Sequence, residues 1–407
     1  MLRSPLLSRP VLTAIILSSL VACSSTGSTR SAQPAAARPS SGASSTAPSA
    51  PASSSAPTTD TAVNASGIPA LLDRRDVYAA DRPGQLTPET KLARSLVYVP
   101  DDDDATVHVI DPVTYRVLRV EKVGKLPQHV TPSYDLKTLW VDNDQGNTLT
   151  PINPRTGAFG KKVAVEDPYN LYFTADGAHA VVVAEKLRRL DFREPHTMKL
   201  QHSLHVPCSG IDHADFSPDG THALFSCEFS GQMVWVDMQH QKVVRTITLP
   251  RQNGSRPKPQ DVKISPDGAI FYVADENSNG VFLIDAVTLK VRSFLPTGLG
   301  THGLYPSRDS KDLYITNRKG SSVSVLSFAT RQVRTVWRIP GSSPDMGGLN
   351  AAGTVLWLSG RYTREVYAIR TSDGHLLARI KVGGSPHGLC VWPQPGRYSL
   401  GHTGVLR

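Results

Sequence analysis

The chain has 407 residues, of which 39% are hydrophobic and 19% charged, with a formal net charge of +9. That length excludes a single small domain and admits either two ordinary domains or one large repeat assembly. The positive balance raises nucleic acid as a partner. However, Lys and Arg are scattered rather than clustered, so nucleic-acid binding is not expected and attraction to anionic envelope polymers or lipid head groups is the milder reading.

The first segment, residues 1–22, reads as a signal peptide. Arg3 and Arg9 make a basic start, and Val11 to Leu20 form an apolar run too short for a permanent membrane span. Leu20-Val21-Ala22-Cys23 then looks like a bacterial lipobox, which implies acylation of Cys23. The alternative is an ordinary secretory signal with an incidental Cys. Residues 23–67 are almost wholly Ser, Ala, Pro, Thr and Gly, and carry too few large apolar side chains to offset the entropy of ordering. They are expected to be a disordered tether holding a folded head off a membrane, with two acyl chains enough for stable anchoring. The expected location is therefore extracytoplasmic, anchored by lipid, with no further apolar run of spanning length. Residues 68–95 are a lead-in to the folded head.

From residue 96 to 397 one phrase is rewritten. Aligned on the Ser of "SPDG", the copies fall at Ser133, Thr174, Ser217, Ser265, Ser307, Asn350 and Trp392, at intervals of 41, 43, 48, 42, 43 and 42 residues. A period near this length belongs to four-stranded propeller blades. The copy at 259–291 shows the unit: a short apolar strand, the turn Ser265-Pro266-Asp267-Gly268, a β-branched and aromatic strand "AIFYVA", a polar loop, "VFLID", and a fourth strand "LKVRSFL". The last copy, "SPHGLCVWPQPG", supplies only a first strand, and the segment from Leu96 lacks one. Pairing the two predicts an all-β, seven-bladed β-propeller of four-stranded antiparallel blades, closed by the C-terminal strand on the first blade. Residues 398–407, including "SLGHTG", are left as a C-terminal tail with no assignable motif.

Tyr314-Ile315-Thr316-Asn317 within such a unit, "SPDG" before it and "VIDPVT" at Val109 to Thr114 in a sister copy resemble the YVTN family of bacterial β-propellers. The haem d1-type and lactonase-type propellers are more distantly similar. The resemblance covers roughly Leu96 to Gly396 and implies a fold far more than an activity.

In a propeller the loops that enter each first strand and those between second and third strands share one face, the mouth of the channel. The copies place there His129, Asp212, His213, Asp261, His302, Asp345 and His387 from the first set, and Asn143, Glu185, Arg318 and Arg361 from the second. Imidazole with carboxylate suits divalent transition metals, and His serves haem-like cofactors. Against this stands a structural role for "PHG". His129 and His213 also sit one register later than His302 and His387, so the four need not converge, and the dense His set of a copper cluster is not expected. No cofactor is assigned, with a metal or haem-like group left open. Arg318 and Arg361 are read first as solvated loop charges, with an anionic ligand held between them as the alternative.

With Cys23 acylated, Cys208, Cys227 and Cys390 remain for an oxidising compartment. Cys208 and Cys227 both fall on the mouth face, so they either form a disulfide or remain two thiols, while Cys390 is read as a buried inert thiol. No Ser-His-Asp order, GxSxG, HExxH or phosphate loop occurs. The expectation is a monomeric, non-catalytic binding module that takes a small ligand or an envelope protein at its mouth. The competing class is a lactonase-like hydrolase or a metal- or haem-d1-dependent redox protein.

Overall fold

The computed structural model describes residues 63–64, 66–402 and 404–407. The signal peptide, Cys23 and most of the proposed tether lie outside the described residues. Seven antiparallel sheets follow one another along the chain. They form a seven-bladed β-propeller, and only one four-residue α-helix, Pro88–Lys91, and one short 3-10 turn accompany it among the described residues.

Blade one consists of Leu96–Asp101, Thr106–Ile110 and Val117–Lys122, with Cys390–Trp392 from the far end of the chain as its innermost strand. The pairs Leu96 with Trp392, Val97 with Val391 and Tyr98 with Cys390 close the ring. Blades two to seven begin with the inner strands Pro127–Pro132, Asn170–Phe173, Ile211–Phe216, Pro259–Ile264, Thr301–Pro306 and Pro344–Leu349. Each is followed outward by the strands of its own repeat.

Burial explains the pattern of the copies. A blade packs both faces against neighbours, so its inner strands read as continuous apolar runs. Ile270–Asp275 is buried at every position, whereas the outer strand Val117–Lys122 alternates between half-buried and exposed. At the seam between blades four and five, Trp235 meets Phe271 edge-on at 5.8 Å, with Val262, Ile264, Phe282 and Ile284 around them. Burying one such side chain contributes about 1.5–3 kcal/mol.

The recurring "SPDG" has a specific task on the face opposite the mouth. In five blades the hydroxyl of Ser133, Thr174, Ser217, Ser265 or Ser307 donates to the Asp two residues on. The same hydroxyl accepts an amide five residues on, as from Ile270 to Ser265 at 3.0 Å. The chain then turns through a left-handed residue, Gly268 at φ +70°, where a side chain is costly. Leu136 and Ser310 take this conformation in blades two and six.

The lead-in and the C-terminal tail close this lower face. Val77 donates its amide to the Pro266 carbonyl at 2.9 Å, the Tyr78 hydroxyl donates to the Ile264 carbonyl at 2.7 Å, and Asp81 pairs with Arg308 at 2.5 Å. The tail is a structural part of the ring, which its sequence did not suggest. Ser399–Gly401 pairs with the inner strand of blade three and Val405–Leu406 pairs with Ser399–Gly401 on the side away from that blade's outer strands, giving the sheet six strands. Arg407 is fully buried beneath, paired with Asp215 at 2.8 Å and stacked over the Tyr78 ring at 5.2 Å.

Candidate functional site

The inner strands carry the site, and a local irregularity in them determines its geometry. In blades two, four, five, six and seven the pairing register slips at the second and third residues of the strand. Pro127 faces Asn143 but Val130 faces Val141, and Ile211 faces Cys227 but Ala214 faces Phe225. Three steps on the inner strand thus match two on its neighbour, which is a β-bulge. A bulge re-aims its side chains away from strict alternation. The bulged pairs are Gln128-His129, Asp212-His213, Gln260-Asp261, His302-Gly303 and Asp345-Met346.

The one-residue offset, which left it open whether the imidazoles meet, is thus absorbed by the bulges, and they converge. The His129 ring lies 5.0 Å from His387 and 5.5 Å from His213, centroid to centroid, and His302 lies 6.1 Å from both His213 and His387. A fifth ring, His402 of the tail, lies 4.7 Å from His213 and 5.0 Å from His129. The expected lack of a dense His set is corrected with it. Gly388 makes room for this packing, since a Cβ there would sit 2.1 Å from Cδ2 of His129. The glycine of "PHG" is thus a spacer for an imidazole on the next blade.

All five rings are buried. Nδ1 of His129 is 3.0 Å from the Tyr169 carbonyl. Nδ1 of His213 lies 2.9 Å from Oδ1 of Asp212 and 3.0 Å from the Asn170 amide. Asp345 lies 3.1 Å from His302 and 3.7 Å from His387. Burial, reinforced by neighbouring cationic and imidazole groups, holds His129, His302, His387 and His402 well below the usual histidine range, so these rings are neutral. His213 moves the other way. Burial disfavours its charge, but the Asp212 carboxylate outweighs burial and raises it.

Above the imidazoles the mouth opens as a cavity of about 290 Å³, floored by His302 and His387 and lined by Gln128, Tyr169, Gln260 and Tyr362 among others. Its rim is a chain of ion pairs running from blade to blade: Glu228–Lys258 at 2.8 Å, Glu276–Arg318 at 2.8 Å, Arg318–Asp345 at 3.2 Å and Arg361–Asp102 at 2.6 Å. Burial would push the Glu276 carboxyl up, but the Arg318 guanidinium and two lysines outweigh it and hold it down to about 2. The chain of pairs runs from blade four round to blade one and is interrupted between blades one and four. There Asp144, Asp167 and Glu185 line a cavity of about 750 Å³. Burial, then the charges of Asp212 and Glu228, push Glu185 up to about 9.

The family model for YncE-like β-propellers matches residues 82–395. The chain belongs to that family. A curated relative, the uncharacterized protein YncE of Salmonella typhi, is 20% identical over 299 residues, covering 67% of this chain and 80% of its own. Among solved structures, a candidate 6-phosphogluconolactonase of Bacteroides uniformis superposes with a TM-score of 0.59 at 14% identity, over 72% of this chain and 98% of its own. A dihydro-heme d1 dehydrogenase in complex with DHE gives 0.56 at 14% identity, over 76% of each chain. At these identities the structural likeness carries the YncE-like fold and no activity.

Of the residues singled out in sequence, His129, His213, His302 and His387 form the imidazole layer, with Asp212 and Asp345 beside it. Glu185, Arg318 and Arg361 line the mouth. The two arginines are held by carboxylates, an arrangement that is neither of the two weighed in the sequence, an anion grip or solvated loop charges. Asn143 and Asp261 belong to the framework instead. Asn143 accepts from the Gly124 amide at 2.9 Å and donates to Thr148 and Thr150. Asp261 accepts from the amides of Val262 and Leu304 and pairs with Lys263. Cys208 and Cys227 form a disulfide with Cα atoms 6.1 Å apart, and Cys390 is a buried thiol. His402 was missed, because no repeat position marks it. The only sequence signal was a Gly-flanked His in a tail too short to fold alone.

Proposed function

We propose that this YncE-like propeller is an exported, lipid-anchored binding protein that takes a small polar ligand into the mouth of its channel. One observation carries the reading. The mouth cavity is bounded by buried polar atoms with no hydrogen-bond partner, namely Oε1 of Gln128 and Nδ1 of His387. Such atoms are costly unless something pairs with them, and a polar ligand in the cavity would do so. The rim cations are already paired, which supports a neutral or zwitterionic ligand over a polyanion such as nucleic acid. Export is supported by the Cys208–Cys227 disulfide, a bond suited to oxidising compartments, and by the lipobox sequence ending in Cys23. Nothing in the site calls for a second copy of the chain, and a monomer is the simplest state.

A thermal-shift screen of the mature protein against small polar envelope metabolites tests the mouth. A ligand that stabilises the wild type should lose its effect in His387→Ala and in Gln128→Ala. Equal shifts in all three proteins would move the site elsewhere. Replacing Cys23 with Ser should release the protein from the membrane fraction, and continued membrane retention would remove the anchor.

A second reading, an enzyme or cofactor carrier, is favoured by the five converging imidazoles, which a purely passive mouth does not need.

A further inference from the structure

We propose that His129, His213 and His402 hold a divalent transition-metal ion of the zinc or copper class at the centre of the channel. The proposal deepens the reading above, in that the mouth is the ion's way in. The three rings arrive on separate elements: the inner strands of blades two and four, and the turn between Ser399–Gly401 and Val405–Leu406. One donor atom from each lies within 4.8 Å of the others, and all three residues are buried. Around an ion with nitrogens at about 2.0–2.1 Å, tetrahedral donors stand about 3.3 Å apart. Closing the observed spacing to that value takes only small ring movements.

Two of the rings present the nitrogen that a metal needs. Nε2 of His129 and Nε2 of His213 are fully buried and have no hydrogen-bond partner. Nδ1 of His129 faces the Tyr169 carbonyl at 3.0 Å, and Nδ1 of His213 lies between the Asp212 carboxylate at 2.9 Å and the Asn170 side-chain NH2 at 3.0 Å. At His129 the carbonyl acceptor keeps the proton on Nδ1 and leaves the Nε2 lone pair directed into the channel, which is how such acceptors orient metal-bound histidines, and at His213 the Asp212 carboxylate occupies the same supporting position. Asp212 is itself buried and its Oδ2 has no partner, so a nearby cation would also balance its charge.

The donor set points to the class of ion. Three imidazoles without thiolate or ligating carboxylate suit zinc or copper rather than calcium or magnesium. Three protein donors leave a fourth position, as in catalytic zinc sites. His302 and His387, one ring-width away, stand between that position and the mouth. A ligand entering the mouth would thus reach the ion past these two rings.

The test uses the mature full-length protein, stripped with chelator and titrated with Zn²⁺ or Cu²⁺ alone. Calorimetry and elemental analysis after gel filtration should report one retained ion per chain, and Co²⁺ should give the visible bands of a tetrahedral site. His213→Ala and His402→Ala should lose the retained ion, while the surface variant His196→Ala keeps it. Asp212→Asn preserves shape and serves if the alanine variants fail to fold, and affinity there should fall roughly 10–100-fold. No retained ion in the wild type, or equal retention in all variants, overturns the proposal. So does loss in His302→Ala with retention in His402→Ala, because that places the ion on His302, Asp345 and His387. Since the ion is titrated without organic ligand, metal binding and ligand binding at the mouth can fail independently of each other.

Discussion

Reduction of the Cys208–Cys227 disulfide should destabilise the propeller by an amount set by the chain it closes. The two residues are 19 positions apart, and tying off a loop of that length removes unfolded-state entropy worth about 3 kcal/mol at 25 °C. The described domain has about 340 residues and hence an unfolding entropy near 0.7 kcal/mol/K, so the loss lowers the melting midpoint by about 4 °C. The assay is a thermal scan of oxidised and reduced wild type, with Cys208→Ala/Cys227→Ala as a second comparison that adds the loss of two buried sulfurs. The bond also pins the site. Cys208 begins the loop that leads into Asp212 and His213, and Cys227 directly precedes Glu228 on the rim. Identical melting of oxidised and reduced wild type would refute the reasoning, because the loop would then already be constrained without the bond.

Gly388→Ala should disturb the imidazole layer while sparing the ring closure two residues on, because the added methyl falls 2.1 Å from the His129 ring. Far-UV circular dichroism should stay unchanged while Zn²⁺ retention is lost, and a variant that still binds the ion would contradict the packing argument. Glu185 makes stability depend on pH. Its proton is held in the folded state up to about 9, whereas the unfolded chain releases it near 4.5. Unfolding free energy should therefore fall as pH rises from about 5 to 9. Glu185→Gln should flatten that slope in urea titrations, and an unchanged slope would show that the carboxyl ionises freely in the folded protein.

The ring was legible in the sequence because each blade spells out its own local physics. The hydroxyl–carboxylate turn at Ser265 and Asp267, the apolar run "AIFYVA" and the left-handed Gly268 are short-range features that recur every few dozen residues. Closure was legible for a related reason, since blade one lacked the strand that residues 390–392 supply. The site was legible only as a set of residue types. Strict alternation separated His129 from His302, and nothing in "PQHV" or "THGL" announces a bulge. Arg318 and Arg361 were placed correctly on the mouth, but the carboxylates that hold them come from other blades. His402 lay beyond sequence reasoning because its position is fixed by pairing between Gly401 and Tyr172, far apart in the chain.

That tail also shows why the imidazole layer is more than a plug. Its closing role is already discharged by other residues. Leu400 and Leu406 are buried among the apolar clusters of neighbouring blades, and Arg407 neutralises Asp215 at the lower end of the channel. An apolar side chain at position 402 would complete that closure and bring no polar atom into the interior. Unpaired buried polar atoms cost about 1–3 kcal/mol each. The channel nevertheless keeps Nε2 of His129, Nε2 of His213 and Oδ2 of Asp212 without hydrogen bonds, and the tail adds one more imidazole at the point where these atoms meet. Stability alone would favour the apolar filling seen at the seams between blades. A ligand bound at the centre of the layer offsets the cost of these atoms, and a metal ion does so with a donor set already in place.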